Sequence, residues 1–465
     1  MIVPFIMTML TIQDRPYLWA FYQMLHMVKD FRGAIIAQEE YFTDPKILAK
    51  EGRREAYDQK FVDSRFCYDC PTQEDLDKVQ KYIIPKEIEH KLIAEKGSYN
   101  NAHMFILQNR WSDLEGILEK YLNEIEETNN EKVDALITLC HYPSLEYITE
   151  KRGMKLIHIE QGGLREPSYE RTAYFDFCSL YGNASNERRF NNFLKETKNH
   201  KVLTLTRKEI LAIFMKPQSL HYLKEIDKKP EYEMGVALGY ATWPLFLMNS
   251  YFNDEELLFQ VSQNYDIDEF ITRKHPADPA KAQYSQYDYN HDGRSMNTIE
   301  FILKCKRIAS LGSNVSFEAM LFGRTAYTFV PYVSYYMSKH DLKDKILDVV
   351  NDEYLNFYVF GYLVPYVYMV DPEYIKWRLT EPSEIEIYNK HLNYWLDYKN
   401  IPKNIYSLNK NERYKKILEA VHYDLYDNEP VRKPQKQYSI KQYQAEIKRL
   451  NDLLKEANEK NNKDI

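Results

Sequence analysis

The stretch from residue 307 to residue 330 (RIASLGSNVSFEAMLFGRTAYTFV) constrains the fold most, because it follows a strand–loop–helix–strand pattern. Its apolar start predicts a short buried strand, and Gly312-Ser313-Asn314 predicts a turn. A helix is predicted over Phe317–Phe322 with Ser316 as its N-cap, and a second strand over Thr325–Val330. Such a unit is typical of a parallel sheet covered by helices.

The loop before this helix predicts a binding site for an anion. The N-terminus of a helix presents free backbone N–H groups, which suit a phosphate. Glu318 lies within the first turn, where its carboxylate is expected to reach the hydroxyl groups of a ribose. An ordinary βαβ unit with a satisfied cap remains an alternative, because the glycine-rich phosphate fingerprints are absent.

A second stretch, FITRKHP at residues 270–276, predicts a strand that ends in a basic His-Pro corner. It precedes the first stretch by one αβ unit. Ligands of open parallel sheets bind where the strands end at their carboxyl side. The polar residues of both stretches are therefore expected at the same crevice.

Together, the two stretches resemble the C-terminal half of GT-B glycosyltransferases. The shared features are a strand ending in (Arg/Lys)-His-Pro, and a strand ending in a serine-rich loop followed by Phe-Glu-Ala-Met-Leu-Phe-Gly. The chain is most similar to bacterial families that use cytidine nucleotides, namely sialyltransferases, Kdo transferases and teichoic-acid-type polymerases. These motifs recur across several donor types, so the resemblance does not fix the sugar.

This resemblance implies which residues bind the donor. In those families, the histidine of the His-Pro pair and the serine loop hold the donor phosphate, and the glutamate of the following helix holds the ribose. The residues assigned to this site are Lys274, His275, Pro276, Ser313, Asn314, Ser316 and Glu318. The resemblance also implies that the nucleotide-sugar is a substrate, and neither a metal nor another cofactor is expected.

The first half of the chain alternates strands and helices in the same way. Ala135–Cys140 predicts a buried strand, Pro143–Arg152 a short helix ended by Gly153, and Lys155–Ile159 a further strand. Short links of this kind are the signature of βαβ units in a parallel sheet.

The last of these strands leads into HIEQGGLREP at residues 158–167. Glu160, followed by two glycines, occupies the position where α/β enzymes place catalytic groups, and glycines let the backbone approach a ligand closely. Arg165 and Arg171 are expected to pair with the carboxylate of an acidic sugar, because a guanidinium group binds carboxylates through two hydrogen bonds. A structural turn with a surface salt bridge is the alternative.

The order Glu-x-Gly, Arg and then aromatic-Asp-aromatic resembles the N-terminal half of retaining Kdo transferases. This resemblance implies catalytic roles for Glu160, Arg165 and Asp176. Glu160 would act as a general base or as a nucleophile, and Arg165 would orient a substrate. The sequence leaves both the retaining and the inverting outcome open.

Composition excludes several other classes of protein. The net charge of −7 argues against a general nucleic-acid-binding protein. Cys67-Tyr-Asp-Cys70 has no second pair, so a zinc site is not predicted. The loop that begins at Asp288 starts like an EF-hand, but Ile299 stands where the twelfth-position glutamate belongs, so a polar loop is predicted instead.

No segment is predicted to span a membrane. Met1–Leu10 is apolar but short, and it predicts the first buried strand. Phe357–Val370 (FYVFGYLVPYVYMV) is also too short to cross a bilayer and predicts a buried strand or helix. The protein is expected in the cytoplasm, and peripheral association with the inner membrane is left open.

The 465 residues suffice for more than one domain. Residues 1–228 are predicted to form an N-terminal Rossmann-like acceptor and catalytic domain, and residues 229–426 a C-terminal Rossmann-like nucleotide-donor domain. Residues 427–465 are predicted to be a linker and an amphipathic or coiled-coil tail. Its apolar seam over 440–457 would either form an oligomer or pack on the body of the protein. The region 41–99 receives no role.

The predicted fold is therefore α/β, with two Rossmann-like domains facing each other across a GT-B cleft. The predicted function is transfer of a sugar, such as Kdo or another ulosonic acid, from a CMP-activated donor to a glycan or lipid-linked glycan. The process implied by the resemblance is synthesis of capsule or lipopolysaccharide. Two alternatives remain, a CDP-alcohol-dependent phosphoalcohol transferase of teichoic-acid type and a non-catalytic polysaccharide-assembly protein.

Overall fold

The computed structural model describes residues 1–8, 17–239, 253–275 and 297–422. These residues contain two sheets, one of seven strands and one of four. Both sheets are built mainly from parallel strands connected by helices, which confirms the predicted α/β class.

The first sheet has the strand order β11-β6-β5-β4-β1-β2-β3. Strands β1 to β5 pair in parallel, whereas β6 runs antiparallel to both β5 and β11. All residues of β2, β4 and β6 are buried, as expected for strands covered on both faces. The strands are β1 (Ile2–Ile6), β2 (Ala34–Gln38), β3 (Gln80–Ile84), β4 (Ala135–Thr138), β5 (Lys155–Gln161), β6 (Thr172–Asp176) and β11 (Leu363–Pro365).

Helices cover both faces of this sheet. The longest of them buries Leu114, Leu118, Leu122 and Ile125, whose spacing of three and four residues places them on one helical face. The helices before the second sheet are α1 (Leu18–Val28), α2 (Pro45–Lys50), α3 (Gln59–Arg65), α4 (Gln73–Asp77), α5 (Lys86–Lys96), α6 (Tyr99–Gln108), α7 (Ser112–Asn129), α8 (Pro143–Arg152), α9 (Asn186–Thr197) and α10 (Arg207–Phe214).

The second sheet has the strand order β10-β9-β7-β8, and its strands pair in parallel. Its strands are β7 (Tyr232–Ala237), β8 (Phe270–Arg273), β9 (Cys305–Ser310) and β10 (Thr325–Thr328). The helices α11 (Asp254–Ser262), α12 (Thr298–Leu303) and α13 (Asn314–Leu321) connect or precede them. The strand–helix–strand unit predicted over residues 307–330 is thus confirmed as β9, α13 and β10.

The start of α13 differs from the prediction. Ser313 is the N-cap, and its side-chain oxygen accepts a hydrogen bond from the backbone N–H of Val315 at 3.3 Å. Ser316 lies inside the helix and is fully buried, where its hydroxyl hydrogen-bonds the Ser310 hydroxyl at 2.8 Å. The prediction of Ser316 as N-cap was wrong because both serines are suitable N-cap residues and the sequence alone does not choose between them. The helix does end before Gly323, which has a positive φ of 72°.

After the second sheet, the chain returns to the first one. Helix α14 (Asp352–Asn356) continues as a π-helical turn (Phe357–Tyr362), all of which is buried. Strand β11 follows and pairs with β6, with Leu363 opposite Tyr174. The predicted burial of the apolar stretch Phe357–Val370 is therefore confirmed as far as Tyr366, whereas Val367 is exposed. The last described helices are α15 (Pro372–Leu379), α16 (Glu384–Tyr398) and α17 (Lys410–Ala420).

Several predictions concern residues outside the described part of the chain, namely Pro276, the polar loop from Asp288 and the tail over 427–465 with its seam at 440–457. The predicted domain boundaries stay predictions. Among the described residues, no helix is long and apolar enough to cross a bilayer.

Candidate active site between the two sheets

The carboxyl edge of the first sheet contacts the first turn of α13 from the second sheet. Tyr174 of β6 donates its hydroxyl hydrogen to the side-chain oxygen of Asn314 at 2.8 Å. Gly163, in the loop after β5, lies so close that an added Cβ would sit 3.1 Å from the Tyr174 hydroxyl and 3.5 Å from Phe317. Of the two glycines predicted to allow a close approach, Gly163 therefore allows the approach of α13 to the first sheet, whereas Gly162 allows close packing against β6 within that sheet.

Glu160 lies near the end of β5, opposite Tyr174 of β6. One of its carboxylate oxygens accepts a hydrogen bond from the backbone N–H of Gln161 at 2.8 Å. Burial raises the pKa of Glu160, and the positive charge of Arg165 only partly opposes this effect. A carboxyl group held in this way has a higher affinity for a proton than an exposed one, which is a property of general bases.

Tyrosine hydroxyl groups lie within electrostatic reach of Glu160. The carboxylate contributes electrostatically to the raised pKa values of Tyr17, Tyr181 and Tyr332, for each of which burial is the largest cause. Tyr181 and Tyr332 stack with ring centroids 4.8 Å apart. Because Tyr332 follows β10, this stack is a second connection between the two sheets.

Glu318 of α13 is the second unusual carboxyl group of the site. Its side chain is only 8% exposed, and burial raises its pKa to about 7. The hydroxyl of Tyr169 lies against this carboxyl group, and the charges of Arg165 and Arg273 also act to lower its pKa. Tyr169 and Arg165 belong to the loop between β5 and β6 of the first sheet, and Arg273 belongs to β8 of the second.

Arg165 is exposed and lies within electrostatic reach of both carboxyl groups. Its guanidinium makes one long hydrogen bond, of 3.4 Å, to the side chain of Gln161. A guanidinium group between two carboxyl groups, with most of its donors uncommitted to the described residues, is suited to bind an anionic substrate group.

Hydrogen bonds with Ser310, at the end of β9, stabilise the serine loop that follows this strand. The hydroxyl of Ser310 accepts a hydrogen bond from the backbone N–H of Ser313 at 3.0 Å and contacts Ser316. Ser313 and Asn314 are half-buried, whereas Ser316 is inaccessible. The geometry thus assigns Ser316 to the support of the loop and leaves Ser313 and Asn314 at its surface.

Lys274 and His275 directly follow β8 and are half-buried. In the sheet, β7 separates β8 from β9. Lys274 and His275 are therefore about 10 Å from the serine loop, which is two strand spacings. Both lie at the carboxyl edge of the same sheet, as predicted, and a nucleotide is long enough to contact both.

Asp176 lies at the end of β6 and is 2% exposed. Its carboxylate accepts hydrogen bonds from the backbone N–H groups of Cys178 and Ser185, each at 3.0 Å, and from the Tyr362 hydroxyl at 2.8 Å. These three bonds hold the loop after β6 and the π-helical turn together. The geometry favours a structural role for Asp176, and its predicted catalytic role has no further support.

Sequence reasoning missed Tyr169, Arg273, Tyr174 and Tyr332. Arg273 lies within the stretch FITRKHP, directly before Lys274 and His275. Its positive charge at the end of a strand is therefore a signal that could have identified it as a site residue. Tyr169 and Tyr174 belong to the segment that carries Asp176, but their partners lie more than a hundred residues later in the chain. No local pattern distinguishes them from the other 38 of the 40 tyrosines.

The described residues contain no group of three or more His, Cys, Asp or Glu side chains arranged to hold a metal ion. Cys67 and Cys70 are free thiols.

Residues 5–185 match the model of the glycosyltransferase 99 family N-terminal domain. The matched region contains Glu160, Arg165 and Asp176, and it supports the coarser prediction that the chain is a glycosyltransferase. No curated protein matches the chain.

Solved structures with a similar arrangement were also found. KpsC of Thermosulfurimonas dismutans, a beta Kdo 2,7 transferase, is 12% identical, with 53% of this chain and 82% of that chain covered at a TM-score of 0.36. UDP-GlcNAc 2-epimerase of Methanocaldococcus jannaschii is 13% identical, with 77% and 98% covered at a TM-score of 0.28. A glycosyltransferase of Rickettsia africae is 9% identical, with 92% and 99% covered at a TM-score of 0.30.

Proposed function

We propose that this protein transfers a sugar from a nucleotide-activated donor to a glycan acceptor in the synthesis of a bacterial surface polysaccharide. The favoured donor is a CMP-linked ulosonic acid such as Kdo. The observation that carries the proposal is that Arg165, in the loop after β5, lies within electrostatic reach of both Glu160 of β5 and Glu318 of α13, in a chain whose first part matches a glycosyltransferase domain.

The second sheet would bind the donor. Backbone N–H groups at the start of α13 and the cation of Lys274 suit a phosphate, and His275 adds a further donor. When the bond between the sugar carbon and the phosphate oxygen breaks, negative charge develops on the departing nucleotide. Groups that are already fixed in place around that charge lower the barrier to this step.

Glu318 would bind the ribose of the nucleotide. Its carboxyl group is buried, and burial raises its pKa to about 7. Such a group binds hydroxyl groups in either protonation state, because a carboxylate accepts hydrogen bonds and a carboxylic acid also donates one. A ribose presents two hydroxyl groups side by side.

The first sheet would supply the reacting carboxylate. Glu160 acts either as the base that takes a proton from the acceptor hydroxyl or as the nucleophile that attacks the sugar carbon. Arg165 would bind the carboxylate that distinguishes an ulosonic acid from a neutral sugar, since its guanidinium is exposed in the cleft.

A direct test incubates the purified full chain with single donors and measures release of the free nucleotide, with water or added glycans as acceptors. The panel contains CMP-Kdo, CMP-sialic acid, UDP-GlcNAc, GDP-mannose and CDP-glycerol. We expect turnover of a CMP-linked donor, and Glu160→Gln should reduce it by a factor of about 10² or more.

Each other outcome has a defined meaning. Turnover of UDP-GlcNAc or GDP-mannose alone would contradict the CMP donor but keep sugar transfer. Turnover of CDP-glycerol alone would replace sugar transfer by phosphoalcohol transfer. The same rate in wild type and Glu160→Gln would remove Glu160 from the mechanism.

A further inference from the structure

A row of polar side chains follows the carboxyl edge of the first sheet, away from the cleft. Because β5, β4, β1, β2 and β3 are neighbours and run in parallel, the residues after each strand lie along one edge. In spatial order, the polar residues after or at the end of these strands are Glu160, Cys140, Thr8, Gln38 and, in α5 after β3, Glu89.

Hydrogen bonds connect the far part of this row. Gln38 is 6% exposed, and its side-chain oxygen accepts a hydrogen bond from the backbone N–H of Thr8 at 2.7 Å. The amide group of the same side chain donates to one oxygen of Glu89, also at 2.7 Å. Gln38 is therefore fixed at both ends and holds the Glu89 carboxyl group in one place.

Glu89 has few partners for a carboxyl group in its position. Burial raises its pKa to about 7, with a smaller contribution from the nearby Glu40. The nearest lysine, Lys86, forms ion pairs with Glu39 at 2.9 Å and with Glu40 at 2.8 Å. Within the described ranges, the bond from Gln38 is the single hydrogen bond of Glu89.

Aromatic hydroxyl groups continue the row between Glu89 and Glu160. The Tyr41 hydroxyl donates to the Thr8 hydroxyl at 3.4 Å. Tyr17 lies within electrostatic reach of Tyr41, Cys140 and Glu160. On the other side of Glu89, Tyr99 at the start of α6 is half-buried, and Glu89 contributes to its raised pKa after the larger effect of burial.

The two ends of the row are too far apart for one sugar. Three strand spacings separate β5 from β2, which corresponds to roughly 14 Å. A single pyranose ring cannot contact Glu160 and Glu89 together, whereas a chain of three sugars can.

We propose that Glu89, which Gln38 holds in place, forms a distal subsite that binds the acceptor glycan through hydroxyl groups of a sugar two or more residues away from the reacting one. The ligand is a neutral oligosaccharide, because its hydroxyl groups can donate to the oxygen of Glu89 that does not bind Gln38, and the partly exposed Tyr99 lies within electrostatic reach of the same carboxyl group. This inference rests on the proposed function, and it assigns a role to part of the region 41–99.

The alternative is that the Gln38–Glu89 hydrogen bond only fastens α5 to the sheet. If the bond is only structural, its removal would lower stability and weaken the binding of all ligands to the same degree. A distal subsite would affect the binding of long glycans and leave single sugars unaffected, so the length of the ligand separates the two cases.

The test uses saturation-transfer NMR on the full chain with chitotriose, maltotriose, mannotriose and galactotriose, each compared with its monosaccharide. The variants are Glu89→Gln and Glu89→Ala, and Glu87→Gln is the matched control because Glu87 is exposed on the same helix. We expect at least one trisaccharide to bind, with a Kd about tenfold weaker in Glu89→Ala and unchanged in Glu87→Gln. Binding of the monosaccharide should not change.

Three results would overturn the proposal, namely no trisaccharide binding, an equal loss for trisaccharide and monosaccharide, or a trisaccharide Kd unchanged in Glu89→Ala. CMP binding is measured on the same samples by calorimetry. If CMP binds and the trisaccharides do not, the distal subsite fails and the proposed glycosyltransferase function stands. If neither binds, the distal subsite fails together with the CMP-linked donor of the proposed function.

Discussion

Tyr174 of β6 and Asn314 of α13 are 140 residues apart in the chain, and the tyrosine hydroxyl donates a hydrogen bond of 2.8 Å to the asparagine side chain. The same hydroxyl lies 3.1 Å from that of Tyr358 in the π-helical turn. The bond connects the strand opposite Glu160 to the helix that carries Glu318. It therefore fixes the distance between the two halves of the candidate site.

Tyr174→Phe should lower the free energy of unfolding by about 1 kcal/mol, because it removes a buried hydrogen bond without leaving a large cavity. A double-mutant cycle with Asn314→Ala should give a coupling energy of about 0.5–1.5 kcal/mol in urea unfolding. Tyr406→Phe is the control, since the exposed Tyr406 hydroxyl donates to Asn393 at 3.3 Å. Coupling no larger than in that control pair would show that the Tyr174–Asn314 bond is unimportant.

Glu160 and Asp176 should respond differently to replacement by the amide. Glu160→Gln should abolish most turnover with little change in the melting temperature, because only one described hydrogen bond holds Glu160. Asp176→Asn should destabilise the protein by about 1–3 kcal/mol. Both carboxylate oxygens of Asp176 accept hydrogen bonds, and the variant places an amide nitrogen, which cannot accept one, at one of these two positions. Thermal unfolding of both variants measures the contrast, which the reverse pattern would contradict.

Glu318 should make stability depend on pH. Its pKa in the folded protein, about 7, lies above the ordinary value of 4.5. Between these values the folded state binds more protons than the unfolded state, so this contribution to stability is complete below 4.5 and is lost as the pH rises to about 7.

Glu318→Gln should remove this dependence, since the amide stays neutral at every pH. We expect the stability of wild type minus that of the variant to fall by about 1–3 kcal/mol between about pH 5 and about pH 8. The slope due to Glu89 is present in both proteins and cancels. Urea unfolding across this range measures the difference, and Glu353→Gln, on the exposed side of α14, is the control. A constant difference would exclude a proton on Glu318 at neutral pH.

Replacement by alanine should have opposite effects on stability at Gly162, in the loop after β5, and at Gly116, in a helix. A Cβ added at Gly162 would lie 2.7 Å from the backbone carbon of Thr172 and 2.9 Å from the backbone nitrogen of Ala173, so Gly162→Ala must displace β6. Gly116 in α7 has no atom within 4 Å of an added Cβ, and Gly116→Ala should stabilise the helix by about 0.5–1 kcal/mol. Denaturant midpoints compare the two, and a Gly162→Ala protein as stable as wild type would contradict the close packing of this loop.

The elements that the sequence predicts well are those whose signals lie within a few residues. Helix α8 begins and ends as predicted, because Pro143 occupies its first turn and Gly153 follows its end with a φ of 67°. The positions of Glu160 and the serine loop at carboxyl ends of strands follow from the same kind of local pattern.

What the sequence does not predict depends on distant partners. The return of β11 to the first sheet pairs Leu363 with Tyr174, and nothing near residue 363 indicates that partner. Similarly, burial raises the pKa of Glu318, and Tyr169, which partly opposes this effect, belongs to the other half of the chain. The structural use of Asp176 depends on Tyr362 in the same way.

The most direct test of the central claim is calorimetric titration of the full chain with CMP, CDP, UDP and GDP. His275→Ala is compared with His90→Ala, which removes an exposed histidine from α5, the helix that follows β3 of the first sheet. The account predicts selective binding of CMP or CDP to wild type and His90→Ala, and binding at least about tenfold weaker in His275→Ala. Absence of binding for all four nucleotides, or equal affinity in His275→Ala, would contradict a cytidine-nucleotide site at the carboxyl edge of the second sheet.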